Sequence, residues 1–155
     1  MDTDPLITMS KAMIEQIEND GTILAILLRS NFKTDGIKFF TSDDFTQQLA
    51  YMHRTQGYVI NPHCHNPLTR EVKITKEVLF IKSGKVRVDF YDDHQCYLES
   101  RILNQGDVVL LAFGGHGFEM LETSEIIEVK QGPYAGEADK TRFTPVTANK
   151  IFIKD

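Results

Sequence analysis

Gly57-Tyr58-Val59-Ile60-Asn61-Pro62-His63-Cys64-His65 is the stretch on which the reading of the chain turns. It reads as a β-strand that closes in His-x-His. Successive strand side chains point to opposite faces, so His63 and His65 project to one side and Cys64 to the other. Two imidazoles held that way are half of a metal site. Cys64, facing away, reads as a small buried apolar residue, neither ligand nor nucleophile.

The stretches on either side carry the same β texture. Upstream, Thr22 to Ser30 is apolar enough for a strand buried on both faces. Asp35-Gly36 is a hairpin signal, followed by strand-like runs over Ile37 to Phe40 and Phe45 to Arg54. Downstream, the polar loop Asn66 to Arg70 leads to an apolar strand over Val78 to Ile81, and Ser83-Gly84 makes a tight turn. Lys85 to Tyr91 alternates, with Val86, Val88 and Phe90 on one face and Lys85, Arg87 and Asp89 on the other. That pattern predicts a strand with one wet face. Gln95 to Leu103, Val108 to Ala112, His116 to Leu121 and Glu125 to Val129 complete the set. Asn104-Gln105-Gly106-Asp107 and Gly114-Gly115 are corners between them. Many short strands cut by regular turn signals predict an all-β barrel or sandwich.

The two ends read differently. Asp4-Pro5 followed by Leu6, Met9, Met13 and Ile17 is a helical stripe, and Asn19-Asp20-Gly21 is a stop signal. One short amphipathic helix is expected within residues 1–21. The tail, 131–155, carries Gly132-Pro133 and Gly136 and reads as irregular until Lys150 to Ile153, a candidate last strand.

Bulk properties bound the function. The chain has 155 residues, 41% hydrophobic and 25% charged, which suits one domain with its own core. Net charge is −5 with no block of like sign, which argues against nucleic acid or an anionic membrane as partner. The longest apolar run, Ile23 to Leu28, is too short to span a bilayer, and no signal-peptide pattern opens the chain. Two cysteines, Cys64 and Cys96, make no disulfide framework, so a reducing cytoplasm is expected.

His63 and His65 need partners. Glu77 opens the next apolar strand, and His116 follows the Gly114-Gly115 corner. Three imidazoles and one carboxylate suit a divalent transition metal (Fe, Mn, Co, Ni or Zn) with one or two positions left open for a ligand.

The order of these residues resembles the cupin superfamily, small double-stranded β-helix barrels of the jelly-roll type. Gly57, His63, His65, Glu77 and Gly84 follow the first cupin signature, with five residues between Gly57 and His63 and six between Glu77 and Gly84. The stretch from His65 to Glu77 holds eleven residues, longer than the family's, and Glu71 inside it is the alternative carboxylate. Gly106, Gly114 and His116 approximate the second signature, with Ala112 where it has proline and Met120 where it has asparagine. The resemblance covers roughly residues 45 to 130. It implies a single cupin domain over 1–155, a metal on His63, His65, Glu77 and His116, and a homodimer. A looser resemblance links Gly114 to Glu119 and Val129 to Phe143 with small bacterial cupins of nucleotide-sugar and surface-polysaccharide synthesis. It implies that Lys130, Tyr134, Lys140 or Arg142 meets a phosphate or sugar hydroxyl, with Lys130 and Tyr134 as the catalytic candidates.

Three activities fit this set: metal-assisted isomerisation or epimerisation of a sugar-like substrate, an Fe(II) dioxygenase of a small metabolite, and a non-catalytic sugar-binding module. Simpler roles stand beside them. His53 and His94 read as solvated, Arg70 and Glu71 as a surface pair, and Asp107 as a turn residue. Tyr134 and Phe143 can equally pack the tail onto the barrel.

Overall fold

The computed structural model describes residues 13–154. Those residues are all-β, with ten strands, two short 3-10 turns and no α-helix among them. They fall into two compact units. One runs to Phe32 and resumes at Thr75; the other is Lys33–Ile74.

The larger unit opens with a hairpin of β1 (Ile14–Asn19) and β2 (Thr22–Leu28). Here the expected helix fails over the part of it that the structure describes; its first twelve residues lie outside the described range. Asp20 and Gly21 both take positive φ, at 48° and 78°, between the paired residues Asn19 and Thr22. That is the geometry of a two-residue hairpin loop, for which Asp-Gly is a strong signal. The same residues that suggested a helix stop therefore reverse a strand. Once β1 is paired, Ile17 is buried on the inner face of the sheet.

Six more strands follow Thr75: β5 (Glu77–Ser83), β6 (Lys85–Tyr91), β7 (Tyr97–Asn104), β8 (Val108–Leu111), β9 (Gly115–Met120) and β10 (Glu125–Lys130). They form two antiparallel sheets, one ordered β1-β2-β8-β5-β10 and one ordered β7-β6-β9. One apolar core joins the sheets. Ile17, Leu24, Ala25, Leu27, Leu79, Ile81, Val109 and Leu111 come from the first, and Val86, Val88, Phe90 and Leu103 from the second. Burying a Val, Leu, Ile or Phe side chain contributes about 1.5–3 kcal/mol each, so this alternation of inward apolar residues is what holds the sandwich.

The two rims of the sandwich differ. At the β1/β7 rim, Glu15 and Arg101 meet across the sheets at 2.6 Å. Arg29 bonds both Glu15 and Asp107, and Arg101 also reaches Glu99. Buried charges survive only when paired in this way. Asp107 serves its turn, as expected, by accepting from the backbone N–H of Asn104, and it also ties in Ser30 and Arg29. At the other rim, β10 is an edge strand whose Ile127 and Val129, with Phe80 of β5, are exposed on the outer face.

The wet face expected on β6 is also corrected. Asp89 is buried, and it is satisfied by Arg87 and by the hydroxyl of Ser100. The tail pairs along β7, where the N–H of Ser100 donates to the carbonyl of Phe152, and Ile153 makes a single parallel bridge to Ser100 in place of a last strand.

The smaller unit holds a two-stranded antiparallel sheet of β3 (Gly36–Phe39) and β4 (Ala50–His53), the latter much shorter than the strand expected over Phe45 to Arg54. Ile37, Phe39 and Met52 share an exposed face. Residues 54–74 of this unit carry no strand. The strand expected to end in His63-Cys64-His65 is therefore absent. Pro62 and Pro67 flank it and each removes a backbone donor that a ladder would need. With no sheet to bury it, Cys64 is exposed, not buried.

Candidate functional site

The site is built where the two sheets of the larger unit face each other at the β9/β10 rim. Glu77 opens β5 in phase with the buried Leu79 and Ile81, so its carboxylate points inward. His116 stands opposite Phe90 in the β6/β9 ladder and shares its inward face. The Nε2 of His116 lies 3.2 Å from Oε2 of Glu77, with the two side chains 30% and 12% exposed. An N–H on that nitrogen donates to the carboxylate, and so links one sheet to the other.

Lys130 is the cross-strand neighbour of Glu77. Its Nζ sits 3.9 Å from Glu77 Oε1 and 2.8 Å from Glu128 Oε1. The His116 hydrogen bond is the largest influence on the Glu77 carboxyl. Aided by the charges of His116, Lys130 and Lys140, it outweighs burial and holds the group below its ordinary 4.5. Glu128 in turn raises the Lys130 ammonium above its ordinary value.

The backbone at His116 is unusual. Gly114 takes φ +70°, and a side chain there would strike the carbonyl oxygen of Tyr91. A Cβ on Gly115 would lie 2.8 Å from the Phe143 ring, so only glycine lets that ring reach the strand. Beyond His116, Phe118 and Met120 continue the inward face opposite Val88 and Val86. The two valines are fully buried, yet Phe118 and Met120 are 38% and 48% exposed. These exposed apolar side chains put an amphipathic surface beside the charged pair. The Phe118 ring centroid is 5.5 Å from that of His116.

Of the residues expected from sequence, Glu77, His116 and Lys130 come together here. Of the two candidate carboxylates, Glu77 is the one beside an imidazole; Glu71 pairs with Lys73 on the surface, not with Arg70. His63 and His65 belong to the smaller unit, where both are exposed and their rings sit 5.5 Å apart. Nδ1 of His63 is 3.0 Å from the carbonyl oxygen of Asn61. Tyr134 is 87% exposed. Lys140 acts on Glu77 through its charge, whereas Arg142 is engaged by Glu137. Glu128 and Phe118 were not anticipated. Their signal was present in strict alternation: Glu128 is two residues from Lys130, and Phe118 two from His116.

Glu77 and His116 are ligands of the right kind for a transition metal, but a protein site uses three or four. Among the described residues, no three His, Cys, Asp or Glu side chains gather around one point. The Lys130 ammonium also stands against the carboxylate oxygen that His116 leaves free. Glu77, His116 and Lys130 by themselves supply too few ligands for a resident metal.

No protein-family model matches the chain, and neither does a curated protein or a solved structure.

Proposed function

We propose that the chain is a cupin-type jelly roll that binds, and transfers a proton on, a small hydroxylated ligand of sugar type at the β9/β10 rim. The observation that carries this reading is the Glu77–His116 contact between the two sheets. A carboxylate beside one imidazole nitrogen fixes the orientation of the ring and leaves the other nitrogen to take or give a proton. Such a positioned base contributes about 10²–10⁴-fold to a rate.

The remaining groups suit the same ligand. Lys130 donates to a hydroxyl or to an oxygen gaining negative charge. Phe118 offers a flat apolar surface for the C–H face of a ring. Glu77 and Glu128 offset the local cations, which favours a neutral polyhydroxy group over phosphate at this point. A homodimer, as the cupin resemblance implies, is part of the same proposal and is checked by light scattering.

The test is a panel of keto sugars and nucleotide sugars incubated with the protein in D₂O. Uptake of solvent deuterium by one of them, lost in Glu77→Gln and in His116→Gln, is the expected result. Binding without deuterium uptake would make the protein a non-catalytic sugar-binding module. Absence of binding across the panel would overturn the reading. The metal-dependent alternatives, an isomerase or an Fe(II) dioxygenase, rest on the sequence order of His63, His65, Glu77 and His116.

A further inference from the structure

Residues 131–146 make contact immediately before each member of the functional pair. On the β5 side, the backbone N–H of Lys76 donates to Oε1 of Gln131 at 2.7 Å, and the hydroxyl of Thr75 donates to Oδ1 of Asp139 at 2.8 Å. These are the two residues ahead of Glu77. On the β9 side, the ring of Phe143 packs on Gly115, the residue ahead of His116. The same ring stands edge-on to Tyr91, with centroids 5.0 Å apart, and the N–H of Val146 donates to the Tyr91 hydroxyl at 3.0 Å.

We propose that residues 131–146 form a strap that sets the separation of Glu77 and His116, with Phe143 as its positioning residue. The importance of the strap rests on the functional reading of that pair; its geometry does not. Phe143 presses on backbone, because Gly115 has no side chain to absorb a displacement. Gly114 is backed by the Tyr91 carbonyl. The corner before His116 is thus gripped between Tyr91 and Phe143, and slack on either side passes directly into β9. Hydrogen bonds weaken steeply with distance and angle, so a small shift of β9 is enough to release the imidazole from Glu77.

The test reads the His116–Glu77 hydrogen bond itself, by the ¹⁵N-labelled imidazole spectrum of the full chain. In the wild type, the His116 Nε2–H signal is expected to resist exchange with water. Its loss in Glu77→Ala assigns it. Phe143→Ala and Thr75→Val are expected to speed its exchange about tenfold or more, the worth of a charge-assisted hydrogen bond. Phe143→Leu, which refills most of the space, restores protection. Phe152→Ala, in the tail but outside the strap, leaves it unchanged. Should Phe143→Ala fail to fold in a thermal melt, Thr75→Val, a part-exposed change that alters no charge, carries the test. A signal indifferent to both variants, or absent from the wild type, overturns the strap. The sugar panel does not enter this result. Strap-dependent protection without sugar binding sinks only the functional reading, and sugar binding with strap-independent protection sinks only the strap.

Discussion

Glu77 and His116 come from different sheets, and their side chains meet at 3.2 Å on the inner face of the sandwich. The contact is therefore both a piece of chemistry and a tie between layers. Removing either partner is expected to be felt in stability as well as in ligand binding.

The Glu77 carboxyl is held below its ordinary 4.5 in the folded protein. The unfolded chain then binds the proton more readily than the folded one, so this group contributes stability above pH 4.5 and loses it as pH falls through the folded value. Glu77→Gln should cost about 1–2 kcal/mol at pH 7. Urea melts of the two proteins should show that gap closing as the pH is taken below 4.5. A gap that stays constant to pH 3 would mean the carboxylate is not engaged as described.

Phe90 and Phe118 share one face of β6 and β9, but the first is buried and the second is not. Phe90→Ala should lose about 3–5 kcal/mol. Phe118→Ala should lose under about 1 kcal/mol, as exposed positions do, while weakening the bound sugar in a calorimetric titration. Equal losses of stability would identify Phe118 as core and remove it from the proposed ligand surface.

Glu15 neutralises two guanidiniums, those of Arg29 and Arg101. Glu15→Ala leaves the buried Arg101 with only Glu99, and a broken buried pair costs about 3–5 kcal/mol. Glu122→Ala, which loosens an exposed contact with Lys85, should cost less than about 1 kcal/mol. Denaturant midpoints at matched slope distinguish the two.

Metal content decides between the acid–base reading and its metal-dependent rivals. Purified protein, dialysed against chelator and then given Zn, Mn, Ni, Co or Fe(II), is expected to show no rise in melting temperature. A rise that His63→Ala/His65→Ala abolishes would transfer the chemistry to a metal.

The strands from Val78 to Val129 were legible because short apolar runs, or the period of two in Lys85 to Tyr91, lie between turn signals, and the residues that break the chain are the ones turns require. Glu77 and His116 were singled out by their place in the order that resembles the cupin signatures, and the structure brings these two side chains together. The first hairpin was not legible, because Leu6, Met9, Met13 and Ile17 fit a helical stripe as well as Asp20-Gly21 fits a reversal, and only the pairing of β1 with β2 decides. The His63 stretch misled through the opposite fault. Its alternation is sound, but Pro62 and Pro67 withdraw donors, and a strand exists only with a partner. The burial of Asp89 could not be read from its own strand, since the hydroxyl that helps satisfy it belongs to Ser100, its neighbour across the sheet on β7.

The outer flank of β10 has one more consequence. Ile127 and Val129 beside Phe80 make a β-rich apolar strip on a strand that lies at the edge of its sheet among the described residues, the sort of surface on which proteins aggregate edge to edge. Lys82 and Glu125, paired at 3.1 Å on that same border, act as gatekeepers there. Neutralising either charge is expected to promote edge-to-edge association, read as turbidity of a stored solution.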